Sequence, residues 1–224
     1  MSARHWITAQ VLATAMLASC PAGASDPALA RQLFQAAETG DTEAVRALLA
    51  QGADTRARDA RGRTPLLAAV RRRQTEAARA LIDAGADVNA KDAIDDSAYL
   101  YAGASGQLDI LRMTLAHGAD LRSTNRYGGT ALIPAAERGH VETVRTLIDA
   151  GVDVDHVNRL GWTALLEAII LGDGGTRHQD IVRLLIDAGA DVNLADGEGV
   201  APLRHARQRR QTAIERMLAA AGAR

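Results

Sequence analysis

Apolar residues along most of the chain recur with the spacing of one face of an α-helix. Val141, Val144, Leu147 and Ile148 are one example, because residues three or four positions apart lie on the same side of a helix. Gly151 follows this segment, and a glycine there favours the left-handed conformation that commonly ends a helix. The pattern predicts a short amphipathic helix that stops at the glycine.

A second, shorter helix is predicted before each amphipathic one. Thr64 followed by Pro65 is typical of a helix start, because threonine caps the first turn and proline is tolerated at its first position. Ala68 and Ala69 come next, and their small side chains allow neighbouring helices to approach closely. A polar turn then joins the two helices. An extended stretch such as "ADVNA" and a further turn complete a helix–turn–helix unit.

This unit recurs along the chain with a fixed period. Thr64, Ser97, Thr130 and Thr163 are each 33 residues apart, and the next equivalent, Ala201, comes 38 residues later. Such a period is the sequence signature of a solenoid, in which each unit packs only on its neighbours. The helix-ending glycines keep the same phase, at Gly52, Gly85, Gly118, Gly151 and Gly189.

The combination of "TPL" and "GADVN" at this period resembles the ankyrin repeat, over about residues 28–222. The resemblance implies a mainly α solenoid of about six helix–turn–helix units with short β-hairpin loops, and phrases such as "NRYGGTALIPAAERGH" also resemble exported bacterial ankyrin proteins. Two departures stand out: Tyr99 takes a leucine core position, and no unit has the usual histidine. The domain is expected over 25–224, with repeats beginning near Ala28, Gly62, Asp95, Gly128, Gly161 and Gly199.

The fifth unit contains five extra residues within 172–177, in the turn between its helices. The sequence "GDGGTR" is not typical of a phosphate loop, because no strand precedes it and no lysine follows. It also lacks the alternating carboxylates of a calcium loop. A structural loop is the favoured interpretation, and a loop lining one edge of a partner site is the alternative.

Residues 1–24 have the features of a secretory signal peptide: an early arginine, a short apolar run and a small-residue end. The expected cleavage follows Ala24. The alternative is a lipoprotein box, "LASC", which would leave Cys20 lipid-modified. Both interpretations export the protein and predict a periplasmic location. The apolar run is too short for a typical membrane span.

Candidate chemistry is sparse in this sequence. The formal net charge of −1 does not favour nucleic acid as a partner. The histidines fall in different units or at different heights of a unit, so we expect no metal site, no cofactor and no small-molecule substrate. The recurring aspartates of "GAD" are expected to hold the hairpin backbone through side-chain hydrogen bonds. The sequence therefore predicts a protein that is not an enzyme.

The resemblance implies instead that hairpin tips and first helices form a concave face that binds another protein. Trp162 stands at a tip where other units have smaller side chains, so it is expected either to be a binding hot spot or to pack over Gly129. Further variable positions are Asp96, Glu137, Glu198 and Val200. The predicted partner-binding residues are Arg61, Arg63, Arg71, Arg72, Ile94, Tyr101, Arg126, Tyr127, Arg138, Arg159, Leu160 and Trp162.

The function predicted from sequence is thus a non-enzymatic protein–protein interaction module of the bacterial periplasm. We expect a monomer with a protein partner and no membrane span. The alternative is an inhibitor or immunity-type protein that blocks a secreted toxin or enzyme. The two differ in consequence, because an inhibitor would form one tight complex and a scaffold would bind more weakly.

Overall fold

The computed structural model describes residues 26–224 of the 224-residue chain. The predicted signal peptide, including Cys20, lies outside the described residues. Within them the chain forms twelve α-helices in six consecutive pairs, numbered here as repeats 1 to 6. The helices are α1 Pro27–Thr39, α2 Thr42–Ala50, α3 Pro65–Arg71, α4 Thr75–Asp83, α5 Ala98–Ala104, α6 Leu108–Ala116, α7 Leu132–Glu137, α8 Val141–Asp149, α9 Ala164–Ile170, α10 Thr176–Asp187, α11 Pro202–Gln208 and α12 Thr212–Ala220.

The helices stack in two layers. First helices pack in the order α1, α3, α5, α7, α9 and α11, and second helices pack in the order α2, α4, α6, α8, α10 and α12. Each repeat therefore contacts mainly the repeats beside it, and the predicted six-unit solenoid is confirmed. A single apolar core runs continuously between the layers from Leu33 to Leu218.

Three of the first helices start with the predicted cap, whereas Thr130 does not cap α7, because that helix begins at Leu132 and the Thr130 hydroxyl has no hydrogen-bond partner within residues 26–224. The Thr64 hydroxyl accepts a hydrogen bond from the backbone N–H of Leu67 at 3.1 Å, and Ser97 and Thr163 cap α5 and α9 in the same way. At the other ends, glycines such as Gly151, with φ of +90°, take the left-handed conformation that the sequence predicts. These local interactions fix the repeat boundaries.

Small residues allow the first helices to approach each other. Gly103 in α5 shows this most clearly, because a Cβ atom placed on it would lie 2.8 Å from the Cβ of Ala131 in the next repeat. Ala68, Ala69 and Ala102 in the same layer are completely buried. The alanine-rich first helices thus form a thin, close-packed layer beneath the hairpin loops.

Tyr99 occupies the predicted core position in α5 and is completely buried. Its hydroxyl has no hydrogen-bond partner within residues 26–224, and burial raises the pKa of Tyr99. A buried hydroxyl without a partner costs about 1–3 kcal/mol of desolvation. The buried ring of Tyr99 therefore stabilises the folded protein, and its unpaired hydroxyl group destabilises it.

Replacing Tyr99 by phenylalanine is expected to raise the free energy of unfolding by about 1 kcal/mol, because the ring stays and the unpaired hydroxyl is removed. The melting temperature should rise by about 2–4 °C. Tyr101→Phe on the same helix is the control, since Tyr101 is only partly buried and should change stability little. A destabilised Tyr99→Phe protein in a thermal melt would contradict this account.

Five hairpin loops project from the first-helix layer, and each is organised by an aspartate or asparagine, which we call the tip residues: Asp59, Asp92, Asn125, Asn158 and Asp196. Each tip residue uses Oδ1 to accept two backbone N–H groups of its own loop; Asn158 accepts those of Leu160 at 2.9 Å and Trp162 at 3.0 Å. Two backbone hydrogen bonds close each loop, and no strand is present within residues 26–224. The predicted hairpins are therefore turns held by side chains rather than by a strand ladder.

The aspartates of "GAD" also behave as the sequence predicts. Asp54 Oδ1, for example, accepts the backbone N–H of Arg56 at 2.8 Å, and Asp87 accepts that of Asn89 at 2.8 Å. They hold the backbone as it leaves the second helix. The tip residues, which recur in the same period, hold the loop itself.

The extra residues of repeat 5 are only partly in the predicted turn. Helix α10 has 12 residues, whereas the other second helices have 9, because the insertion adds a turn at its start. His178 lies in this added turn, where its Nδ1 is 2.7 Å from Asp173 Oδ1 and its Nε2 is 2.9 Å from the carbonyl oxygen of Glu137 in repeat 4. The insertion is thereby fixed to its neighbouring repeat.

Candidate functional site

A groove of about 320 Å³ crosses the face formed by the hairpin loops and the first helices. We call it the central groove; it runs from Arg71 in α3, over α5 and α7, to Leu171 after α9. None of residues 172–177 lines it, which favours the structural interpretation of the insertion. Seven of the predicted partner-binding residues line this groove: Arg71, Ile94, Tyr101, Arg126, Tyr127, Arg138 and Leu160.

Exposed apolar and aromatic side chains line the central groove. Tyr127 is 53 % exposed, Leu160 is 55 % exposed and Ile94 is 43 % exposed. The guanidinium carbon of Arg126 lies 4.7 Å from the centroid of the Tyr127 ring, within the range of a cation–π interaction. Tyrosine and arginine are enriched among the residues that dominate binding energy at interfaces.

Arg71 lies between Tyr101 and an acidic loop. Its guanidinium carbon is 4.7 Å from the Tyr101 ring centroid, and its Nη1 donates to Asp96 Oδ2 at 3.0 Å. Burial and the neighbouring charge of Asp92 raise the pKa of Asp96, and the bond from Arg71 opposes that rise. The arginine thus holds the Tyr101 ring and the Asp96 carboxylate in one fixed arrangement at one end of the groove.

Four of the predicted arginine positions do not line the groove. Arg63 is 3.1 Å from Glu38 Oε1 and also pairs with Asp59, with only 14 % of its side chain exposed, so it has a structural role. Arg159 donates from Nη1 to the carbonyl oxygen of Arg126 at 2.8 Å and ties two loops together. Arg61 and Arg72 are exposed elsewhere on the surface.

Trp162 is a predicted partner-binding residue outside the groove lining, and its role as a binding hot spot stays a prediction. It is half-buried. The three atoms nearest to a Cβ built on Gly129 belong to Ile133 and Asn125. Its backbone N–H donates to the tip residue Asn158.

Glu167 is the charged groove residue that sequence reasoning missed. It is only 6 % exposed, in the middle of α9, and its Oε1 accepts a hydrogen bond from Asn158 Nδ2 at 2.8 Å. Burial, and secondarily the charge of Glu137, raise the pKa of Glu167 to about 7. The available signal was a glutamate inside the apolar segment "ALLEAII", at a position where repeat 4 has Pro134.

Two histidines each pair with an aspartate outside the groove lining. His205 Nε2, for example, is 2.7 Å from Asp196 Oδ2 in repeat 6. Within residues 26–224, no group of three or more histidine, cysteine, aspartate or glutamate side chains could hold a metal ion. No helix in the same part of the chain is long and apolar enough to cross a membrane.

Comparisons with known proteins agree with this architecture. A family model described as ankyrin repeats (3 copies) matches residues 14–92 and 99–196. An ankyrin repeat domain from Acinetobacter baumannii is 63 % identical over 86 % of this chain and 98 % of its own, with a TM-score of 0.84. A second crystal structure, of an ankyrin repeat protein, is 44 % identical over 85 % of this chain and 97 % of its own, with a TM-score of 0.82.

A more distant similarity extends to a protein of known family. The ankyrin repeat domain of Bcl-3, a member of the IkappaB protein family, is 29 % identical over 86 % of both chains, with a TM-score of 0.77. A comparison with curated protein sequences gave no match.

Proposed function

The chain belongs to the ankyrin-repeat family, and we propose that it is a non-enzymatic binding protein of the bacterial periplasm that holds a protein partner in its central groove. Ankyrin repeats are protein–protein interaction modules. We propose further that the partner binds in this groove and that the protein is exported and monomeric.

One observation carries the location of the binding surface. Residues from four different repeats, separated by up to 100 positions in the sequence, meet in one groove that combines aromatic, aliphatic and arginine side chains. Four of them, Ile94, Tyr127, Leu160 and Leu171, expose more than two fifths of their area although they are large and apolar. Exposed apolar groups concentrated in one place are typical of a binding surface.

Affinity capture tests the proposal. The protein is used as bait in an envelope extract of the source organism, beside Leu160→Ala and Val157→Ala variants. Both changed side chains are exposed, but only Leu160 lines the groove. We expect Leu160→Ala to lose the partner and Val157→Ala to keep it; equal capture by both variants would place the partner elsewhere.

The proposed export has its own test at the N-terminus. We expect the mature protein to begin at Ser25, because "AGA" directly precedes that residue. Intact-mass measurement of the protein purified from the envelope checks this. A mass that matches a lipid-modified Cys20 would support the lipoprotein alternative, and the unprocessed mass would contradict export.

The alternative function, an inhibitor or immunity-type protein, is favoured by the concentration of exposed apolar side chains in one groove, because four of the five large apolar side chains exposed within residues 26–224 line it. This alternative predicts a single partner bound one-to-one with a nanomolar or lower dissociation constant. The scaffold predicts weaker capture of more than one protein. Mass spectrometry of the captured material and titration calorimetry distinguish them.

A further inference from the structure

Two carboxylates face the central groove without a compensating cation. Glu167 Oε1 accepts the hydrogen bond from Asn158, but Oε2 has no hydrogen-bond donor among residues 26–224. Glu137, at the end of α7, lines the same groove, and its side chain makes neither a hydrogen bond nor an ion pair within those residues. A carboxylate that is nine-tenths buried is costly unless a positive group pairs with it.

The three arginines that line the groove are engaged by other groups. Arg71 bonds Asp96, and Arg126 lies over the Tyr127 ring. The charge of Arg138 partly offsets the rise in the pKa of Glu167, but Arg138 Nη1 donates to the carbonyl oxygen of Ala104 at 2.7 Å. The chain therefore leaves an unfilled position for a positive group beside Glu137 and Glu167.

The surroundings of this position suit a long basic side chain better than a bare ion. Tyr127, Leu160 and Ile133 provide apolar surface beside the carboxylates, and the aliphatic stems of lysine and arginine pack on such surface. A volume of about 320 Å³ is at the lower end of the range for ligand pockets, which fits one inserted side chain and its flanking backbone.

Asn125 offers a hydrogen-bond donor to the backbone of any peptide that places a basic side chain in this groove. In four of the five hairpin loops the second polar atom of the tip residue is engaged: Asp59 with Arg63, Asp92 near Arg71, Asn158 with Glu167 and Asp196 with His205. Asn125 Nδ2 has no such partner in the described chain, because Pro134 stands where the fifth repeat has Glu167. Asn125 lines the groove, so its amide can donate to a peptide carbonyl.

We infer that the central groove receives a lysine or arginine side chain from the partner, with its charged head between Glu137 and Glu167 and its stem against Tyr127 and Leu160. This inference rests on the proposed function and specifies its partner: an extended segment that presents a basic residue between apolar ones. The basic group supplies the counter-charge that the two carboxylates lack in the free protein.

A pair of synthetic peptides tests the inference directly. The probes are acetyl-Ala-Leu-Arg-Leu-Ala-amide and the same peptide with citrulline, which has the shape of arginine without its charge. Nuclear magnetic resonance spectra of the isotope-labelled protein follow the amide signals of Tyr127 and Leu160. We expect saturable shifts with the arginine peptide, and binding at least about tenfold weaker with citrulline.

Three variants assign the effect to the carboxylates. Glu137→Gln and Glu167→Gln should each weaken binding of the arginine peptide about tenfold or more, since each removes one charge facing the guanidinium. Glu142→Gln is the control, because Glu142 is exposed on α8 in the second-helix layer. Circular dichroism melts confirm that each variant is folded.

Several outcomes would overturn the inference: equal binding of both peptides, no binding of the arginine peptide, or shifts produced by calcium chloride instead. Capture experiments separate this failure from failure of the proposed function. A partner lost with Leu160→Ala but retained with Glu167→Gln would keep the proposed function and overturn the basic side chain. Arginine-selective binding without any captured protein would support the groove chemistry and contradict the proposed function.

Discussion

Replacement of Glu167 by glutamine is expected to stabilise the protein at pH 8 by about 3 kcal/mol and to change stability little at pH 4. Glutamine keeps an oxygen that can accept the Asn158 hydrogen bond, but it carries no charge to bury. The expected gain is therefore the cost of ionising a carboxyl group inside the protein.

The sign follows from the two pKa values of this residue. The folded-state pKa is about 7, above the ordinary value of 4.5, because of burial and then the charge of Glu137. Between these values the folded protein binds more protons than the unfolded chain, so the contribution of Glu167 falls as pH rises through this window. The hydrogen bond from the Asn158 amide and the charge of Arg138 oppose this rise in the pKa of Glu167.

Urea unfolding at pH 4, 6 and 8 measures this effect. The difference between wild type and Glu167→Gln should grow with pH up to about pH 8, whereas Glu142→Gln, an exposed glutamate in α8, should show almost no such trend. If the free energies of unfolding of wild type and Glu167→Gln differ by the same amount from pH 4 to pH 8, Glu167 does not have a raised pKa in the folded protein.

Tyr127→Ala is expected to weaken partner binding by at least about 2 kcal/mol, or about 30-fold in the dissociation constant. The ring is 53 % exposed in the free protein, lies under the Arg126 guanidinium and contributes one wall of the central groove. Truncation would remove both the apolar surface and the support that holds Arg126 in place.

Titration calorimetry with the captured partner measures this loss, with Val157→Ala as the matched control. Val157 is 45 % exposed and lies outside the groove lining, so its truncation should leave affinity unchanged. Tyr127→Ala should also melt within about 1 °C of wild type, because surface substitutions change stability little. If Tyr127→Ala and Val157→Ala bind the partner with equal affinity, Tyr127 is not part of the binding surface.

The repeat architecture could be predicted from sequence because its determinants are local. Thr64 with Pro65 starts a helix and Gly151 ends one through interactions within a few residues, and the 33-residue period multiplies those signals. Tyr99 was placed correctly in the core because its position in the repeat determines its burial. Periodicity thus determines which side chains face inward.

The chemistry of the groove could not be predicted in the same way, because it depends on contacts between repeats. Arg63 was assigned to the partner surface, but Glu38 from the preceding repeat and Asp59 hold it. Glu167 was passed over because its cost arises from burial and then from the charge of Glu137 in the adjacent repeat. Neither contact is visible in a single repeat.

The insertion shows a third kind of difference. The sequence predicted that all the extra residues lie in a turn, but Thr176 and Arg177 belong to helix α10. The bond from His178 to the Glu137 carbonyl in the adjacent repeat favours this extension. Sequence periodicity locates an insertion but does not decide whether it forms loop or helix.

Site-specific photo-crosslinking tests most directly whether the central groove holds the partner. A photoreactive benzophenone side chain is placed at Leu160 in the groove and, in a second protein, at Arg145, which is exposed on α8. The account predicts that light links the partner to position 160 and not to position 145. Crosslinking at position 145 with none at position 160 would contradict it.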